Sequence, residues 1–140
     1  MPTMNARTIG NGAPTMSAVM PTTVLVIDDD PAFRALAVRM LASMGLAVVG
    51  EADTVEAATR AANALRPQSA LVDIGLPDGD GVTLAGILAS LPWRPRVVLT
   101  SSDPDATTPA GARSVGAADF IAKDDLPGSR LRALLTGHGE

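Results

Sequence analysis

The chain has 140 residues, 46% of them hydrophobic and 19% charged, which suits one globular domain with its own core. It contains no cysteine, which excludes disulfide frameworks, zinc–thiolate sites and cysteine nucleophiles. The net charge of −4 without a basic cluster argues against nucleic acid as a direct ligand, and no apolar run is typical of a membrane span or a signal peptide. We therefore expect one cytoplasmic domain with no nucleic-acid or membrane partner.

The ends of the chain differ from its centre in composition. Residues 1–22 lack periodicity and are rich in Gly, Pro, Thr and Met, which predicts a disordered lead. The globular domain is expected to span residues 23–136, and residues 137–140 are expected to form a short tail.

An unalternating aliphatic run at residues 24–27 predicts a buried parallel strand, and Pro31 suits the first turn of a helix after it. Asp28, Asp29 and Asp30 lie between the two. Two carboxylates about 4 Å apart repel each other by roughly 4 kcal/mol at an effective dielectric of about 20, so we expect a cation here. The alternative is that Asp30 caps the helix while Asp28 and Asp29 face water.

Apolar residues at helical spacing predict a first helix over residues 33–44 and a second over residues 53–65, capped by Asp53 or Thr54. A short apolar strand is predicted between them at residues 46–50.

A third buried strand at residues 70–72 leads into Asp73, and a turn-rich loop at residues 75–81 precedes a short helix. Trp93 follows that helix, and we expect it to cover the far end of the sheet, opposite the aspartates, rather than to stack on a ligand.

A fourth strand at residues 97–99 leads into Thr100 and Ser101. A weak helix containing Gly111 is predicted at residues 109–115. A fifth strand leads into Lys123, the single lysine among eleven basic residues, and a last helix is predicted over residues 126–135. Arginine replaces lysine poorly where a compact ammonium must fit, so Lys123 is a candidate functional residue.

Five strands alternating with five helices predict an α/β fold with a doubly wound, five-stranded parallel sheet. Functional residues of such sheets gather at the carboxyl ends of the strands. The residues at those ends are Asp28, Asp29, Asp73, Thr100 and Lys123. Carboxylates and a backbone oxygen suit Mg²⁺, a hydroxyl and an ammonium suit a phosphoryl group, and one aspartate is then free to act as nucleophile.

From about residue 24 to residue 135 the sequence resembles the receiver domain of two-component response regulators. The residues that carry the resemblance appear in the family's order: Asp28-Asp29, Asp73 followed by Leu76-Pro77 and Asp80-Gly81, Thr100-Ser101, and Lys123. Five separated positions, each at the correct strand end, make the match specific. The resemblance implies a flavodoxin-like sheet of strand order 2-1-3-4-5.

The resemblance also implies roles for these residues. Asp73 would be the phosphoacceptor, and Mg²⁺ or Mn²⁺ would be held by Asp28, Asp29, Asp73 and the backbone carbonyl of Gly75. The phosphoryl group would contact Thr100, Ser101 and Lys123, and Phe120 would be the aromatic switch residue.

A histidine kinase or a phosphotransfer protein is the implied phosphodonor, and a downstream protein would bind the face made by helix four, strand five and helix five. The domain would then be a signalling protein rather than an enzyme. No output domain follows the match, so we expect a stand-alone receiver or an excised one.

Asp124 departs from the family pattern, because most relatives have proline after the lysine. A cis bond before a residue other than proline costs about 2.5 to 4 kcal/mol, so we expect a trans bond there.

Two other functions fit parts of the pattern. A haloacid-dehalogenase-type phosphatase also has an Asp-x-Asp motif after a buried strand, here Asp28 and Asp30, but it gives Asp73 no role. A receiver-like module that binds partners without phosphorylation is the second alternative, and the complete set of site residues argues against it.

Overall fold

The computed structural model describes residues 20–127 and 130–137. The predicted lead falls mainly on residues 1–19 and the predicted tail mainly on residues 138–140, so both predictions lie largely outside the described residues. The strands are β1 (Thr23–Ile27), β2 (Ala47–Ala52), β3 (Ser69–Asp73), β4 (Gly75–Leu76), β5 (Gly79–Asp80), β6 (Arg96–Ser101) and β7 (Asp119–Ala122). The helices are α1 (Pro31–Ser43), α2 (Val55–Leu65), α3 (Gly81–Ala89), α4 (Pro109–Ser114) and α5 (Arg130–Thr136).

The main sheet has five parallel strands in the order β2-β1-β3-β6-β7. This is the predicted order 2-1-3-4-5, because β4 and β5 form a separate two-residue antiparallel hairpin after β3. The parallel register places Asp73 at the end of β3 beside Thr100 on β6. The fold class expected from the sequence is therefore confirmed.

Helices cover both faces of the sheet, because the strands carry apolar side chains on both sides. On β1, Val24 and Val26 pack with buried residues of α1 and α5, whereas Leu25 and Ile27 pack with buried residues of α2, α3 and α4. All four side chains are at most 1% exposed. This two-sided burial holds the carboxyl end of β1 and its acidic residues in a defined position.

Several boundaries differ from the sequence prediction. Strand β2 continues to Ala52, and α5 begins at Arg130 rather than at residue 126. Leu126 is buried in the core, but it follows a 3₁₀ turn at Lys123–Asp125 instead of starting the helix. Apolar spacing alone does not distinguish a buried residue in a turn from one in a helix.

The cap of α2 also differs in part from the prediction. Thr54 is the N-cap and its hydroxyl accepts a hydrogen bond from the Ala57 amide at 3.0 Å, so Asp53 is not the cap. The Asp78 carboxylate, from the β4–β5 hairpin, accepts from the amides of Val55 at 2.7 Å and Glu56 at 3.1 Å. These bonds to backbone amides lower the pKa of Asp78. They tie the hairpin beside the site to α2.

The peptide bonds of the described residues are all trans, including the one between Lys123 and Asp124, as expected. None of the helices in the described part of the chain combines the length and the apolar character that a membrane span requires.

Candidate functional site

Three carboxylates meet at the carboxyl edge of the main sheet. Asp28 and Asp29 follow β1, Asp73 ends β3, and one oxygen of each lies within 4.8 Å of the others. Asp28 is 1% exposed and Asp73 is 6% exposed, whereas Asp29 is exposed to solvent. The structure therefore brings together the three aspartates that the sequence predicted for one site.

Lys123 supplies the positive charge that this cluster needs. It follows β7, and its Nζ lies 2.8 Å from Oδ2 of Asp28 and 3.8 Å from Oδ1 of Asp73. Apart from this ion pair, Asp28 Oδ2 has no hydrogen-bond partner among the described residues. Two buried acids thus share one ammonium, which leaves their negative charge only partly balanced.

Phe33 on α1 holds the same ammonium from another side. The Lys123 Nζ lies 4.1 Å from the centroid of the Phe33 ring, within the range of a cation–π interaction. The apolar spacing predicts Phe33 as the first residue of a helix and does not indicate this contact. No sequence signal joins two residues so far apart in the chain.

The environment of Asp73 raises the pKa of its carboxyl from 3.8 to about 6. Burial is the largest cause and the negative charge of Asp28 is the second, while Lys123 acts in the opposite direction. The Asp73 carboxyl is therefore mostly ionised at pH 7 and becomes protonated in mildly acidic solution.

Arg34 fixes the loop that carries Asp28 and Asp29. Its Nη1 donates a hydrogen bond of 2.7 Å to the backbone carbonyl of Asp28, and its Nε lies 3.1 Å from Oε1 of Glu51 on β2. This contact could not be predicted from the sequence, because an arginine in a first helical turn is usually a solvated residue. Arg34 thus orients the acidic loop through its backbone rather than through the Asp28 carboxylate.

Asp30 acts as the N-cap of α1, since its carboxylate accepts a hydrogen bond from the Ala32 amide at 3.0 Å. The helix-capping alternative is thus correct for Asp30, while Asp28 and Asp29 lie in the cluster. An Asp-x-Asp phosphatase motif needs both Asp28 and Asp30 in the site, so the cap argues against that alternative.

The two hydroxyl residues at the end of β6 have different environments. Thr100 is fully buried, and its Oγ1 has no hydrogen-bond partner among the described residues. Ser101 is 8% exposed, and its Oγ accepts a hydrogen bond from the amide of Asp103 at 3.0 Å. An unpaired buried hydroxyl is costly, so Thr100 is the hydroxyl that is free to bind a ligand.

Two glycines allow close packing around Asp73. A Cβ at Gly81, the first residue of α3, would overlap the backbone carbonyl of Asp73, so a larger residue would push α3 away. A Cβ at Gly75 would lie 3.9 Å from Oδ2 of Asp73, which places the exposed Gly75 beside that carboxylate.

A divalent cation fits this set of residues. The donors are carboxylate oxygens, which hard cations such as Mg²⁺ prefer, and the cluster retains negative charge after its ion pair with Lys123. The residues that could hold the ion are Asp28, Asp29, Asp73 and the carbonyl of Gly75.

Comparison with known proteins decides the family. Residues 24–135 match the family described as the response regulator receiver domain, which covers most of the chain. The chain belongs to this family. The predicted resemblance to two-component signalling proteins is thereby confirmed.

Two relatives show how the receiver domain is used elsewhere. The nitrate/nitrite response regulator NarL of Escherichia coli is 33% identical over 121 residues, which are 85% of this chain and 56% of that protein. A protein-glutamate methylesterase/protein-glutamine glutaminase of Anaeromyxobacter dehalogenans is 40% identical over 107 residues, 74% of this chain but 30% of the enzyme. The chain thus spans about half the length of NarL and less of the methylesterase.

Solved structures agree with this receiver fold. The signal receiver domain of a NarL response regulator from Mycobacterium tuberculosis has a TM-score of 0.73 and 35% identity, covering 84% of this chain and 96% of that one. A complex of CheX and CheY with BeF₃ and Mg²⁺ from Borrelia burgdorferi has a TM-score of 0.75, covering 90% and 96% of the two chains. It is 20% identical, so it supports the fold alone.

The predicted switch residue of the receiver domain, Phe120, is buried on β7 and 6% exposed. Its ring lines a cavity of about 660 Å³ between the β6–α4 loop, β7 and α5. Arg130 of α5 also lines the cavity, and its guanidinium lies 3.1 Å from Oδ2 of Asp119. Phe120 therefore lies between the core and the face of α4, β7 and α5, which is the face where the family resemblance predicted that a partner binds.

Proposed function

We propose that the domain accepts a phosphoryl group on Asp73 from a histidine kinase or a phosphotransfer protein. The geometry of the cluster supports this proposal: three carboxylates lie within 4.8 Å of one another, and the only lysine of the chain lies against two of them. Such a site holds a nucleophilic carboxylate together with the positive charge that a transferred phosphoryl group needs.

Mg²⁺ or Mn²⁺ is the proposed cofactor, bound by Asp28, Asp29, Asp73 and the Gly75 carbonyl. The metal would neutralise phosphoryl oxygens during the transfer. This chain's part is to hold two buried carboxyl groups at one strand edge, which Arg34 assists through the Asp28 carbonyl.

The transfer forms a bond between a carboxylate oxygen of Asp73 and phosphorus, and breaks the bond between phosphorus and the donor nitrogen. Asp73 must be ionised to attack, and its pKa of about 6 leaves it mostly ionised at pH 7. Thr100 would donate its unpaired hydroxyl to a phosphoryl oxygen, and Ser101 lies next to it. Lys123 would move its ammonium from Asp28 towards the phosphoryl group on Asp73.

Movement of Thr100 and Lys123 towards the phosphoryl group would then be transmitted through Phe120 to the surface of α4, β7 and α5, where a partner protein binds. NarL of Escherichia coli is named as a response regulator, which supports control of a downstream partner or an attached output part. A cytoplasmic location follows from this function. The protein would accept the phosphoryl group itself and control a partner protein, rather than act as an enzyme.

Labelling with acetyl phosphate and Mg²⁺ tests the proposal. Asp73→Asn is expected to abolish base-labile labelling, because the amide cannot act as the nucleophile. Asp53→Asn is the matched control, since Asp53 is exposed and lies outside the site. Unchanged labelling of Asp73→Asn would contradict the proposal, and label mapped to Asp28 would favour the phosphatase alternative.

A further inference from the structure

The amino edge of the sheet, opposite the carboxylates, contains a basic groove. It has a volume of about 430 Å³ and is lined by five residues from two connections and the start of β6: Arg66, Gln68, Trp93, Arg94 and Arg96. β3 separates the two edges, and its five residues span roughly 16 Å at about 3.3 Å per residue. The arginine groove is therefore distinct from the acidic site.

The three arginines of the groove have no carboxylate partner among the described residues. None of the ion pairs among the described residues involves Arg66, Arg94 or Arg96, and all three are exposed. Within the described part of the chain, no acidic residue lines the groove. In a protein with a net charge of −4, three arginines that line one groove make that groove locally positive, which favours an anionic ligand.

The backbone at two of these arginines is unusual. Arg66 has φ 48° and Arg94 has φ 51°, and they are the non-glycine residues with positive φ in the described part of the chain. After α1, α4 and α5 the chain places Gly45, Gly116 and Gly137 at positive φ. Glycine adopts this conformation at no steric cost, whereas arginine does not.

Arginine adopts positive φ at the end of α2 and in the connection after α3, and both arginines line the groove. Strain of this kind is often retained at binding sites, where a side chain is needed that the backbone alone would not favour. The guanidinium groups are the feature that Arg66 and Arg94 supply and glycine would not.

The groove also contains a fixed aromatic surface. Trp93 donates a hydrogen bond of 2.8 Å from Nε1 to the carbonyl of Pro67, and the guanidinium carbon of Arg66 lies 4.5 Å from the centroid of its ring. Arg96 is held from the other side, where its guanidinium packs on Gly137 after α5. The side chains of Arg66 and Arg96 and the indole are therefore held by contacts within the protein.

We propose that this groove binds a small organic phosphate of the nucleotide type, with its phosphates on the arginines and its flat ring against Trp93 and Gln68. Arginine forms paired hydrogen bonds with phosphate oxygens, which favours phosphate over a single carboxylate. The volume lies in the usual range for small-molecule sites, roughly 300 to 1,000 Å³.

The experiment uses the indole N–H signal of Trp93 in an NMR titration, because Trp93 is the single tryptophan of the chain. The probes are ADP, pyrophosphate and adenosine, added without divalent cations so that the acidic site does not bind a metal–nucleotide complex. ADP should shift the indole signal with a lower Kd than either fragment. Added salt should weaken its binding, because the groove is exposed.

Single substitutions measure the contribution of each arginine to ADP binding. Arg66→Gln and Arg94→Gln should each weaken ADP binding about tenfold, the value of one charge-assisted hydrogen bond. Arg39→Gln is the matched control, since Arg39 is an exposed arginine on α1 outside the groove, and it should bind ADP as the parent does. Arg94→Gly should also bind ADP weakly, although glycine removes the backbone strain at this position.

Three results would overturn the proposal. The first is no shift of the indole signal up to about 1 mM ADP. The second is pyrophosphate binding as tightly as ADP, which would show that the adenine ring does not contribute to binding. The third is equal loss of binding in Arg39→Gln and Arg94→Gln, which would show an unspecific effect of charge.

Discussion

The two edges of the main sheet carry opposite charges in different surroundings. At the carboxyl edge, Asp28 and Asp73 are buried and share the ammonium of Lys123. At the amino edge, Arg66 and Arg94 are exposed and pair with no acid among residues 20–127 and 130–137. Charges interact strongly where water is excluded and weakly where water and salt screen them. Changes at the carboxyl edge should therefore alter folding stability, and changes at the amino edge should mainly alter binding.

The largest effect is expected from a divalent cation at the carboxyl edge. Mg²⁺ at a hundredfold excess over its Kd should raise the free energy of unfolding by about 2.7 kcal/mol, because it binds the folded cluster. Asp29→Ala should lose most of this gain, while Asp53→Asn should keep it. Thermal unfolding with and without Mg²⁺ measures the effect, and an unfolding temperature of the parent that does not change with Mg²⁺ would contradict the proposed metal site.

The second prediction concerns pH in metal-free solution. Folding raises the pKa of Asp73 from 3.8 to about 6, so the folded state binds the proton more tightly. The resulting stability is present below about pH 4 and is lost as the pH rises through 6. The full shift corresponds to about 3 kcal/mol, and partial access of water reduces our expected value to about 1 to 2 kcal/mol.

Asp73→Asn should remove this loss and be more stable than the parent above pH 7 without Mg²⁺. Denaturant unfolding at several pH values measures it. The interpretation fails if the parent and Asp73→Asn have the same dependence of stability on pH.

A smaller effect is expected at the amino edge. Arg94→Gly should stabilise the fold by about 1 kcal/mol, because glycine adopts positive φ without the steric cost that arginine has there. Arg39→Gly is the opposite control, since Arg39 lies inside α1 and glycine costs a helix about 1 kcal/mol. A destabilised Arg94→Gly would show that the arginine contributes contacts to the fold itself.

The smallest effect is expected from the contact between Phe33 and Lys123. Phe33→Leu keeps an apolar side chain and removes the aromatic ring, so the lost cation–π interaction should cost about 0.5 to 1 kcal/mol. A double-mutant cycle with Lys123→Met isolates this interaction from the change in packing. Additive effects of the two substitutions would exclude a direct contribution of the contact.

The residues at the strand ends could be predicted from the sequence because they follow apolar runs directly. Asp28 follows the run of β1, Asp73 ends β3, and Lys123 follows β7, so parallel strands bring them to one edge. These are local patterns, and one topological rule joins them.

Contacts between distant parts of the chain could not be predicted in the same way. The ammonium of Lys123 rests on the ring of Phe33, and Asp78 in the hairpin caps α2. Each residue has an ordinary local explanation, as a helix-face residue or a turn residue. Only the packing of the elements makes them partners.

Trp93 illustrates the division between sequence and tertiary structure. Its place after the third helix was enough to predict that it covers the amino edge, where its indole donates to the Pro67 carbonyl. The proposed nucleotide site departs from the accompanying expectation that Trp93 does not stack on a ligand. The sequence by itself determined the fold class and placed the acidic residues at strand ends, because hydrophobic pattern and chain order decide these features. The strand order was implied by the family resemblance. Tertiary structure decided that Arg66, Arg94 and Arg96 share one groove with the indole, because side chains from separate connections meet only once the sheet is assembled.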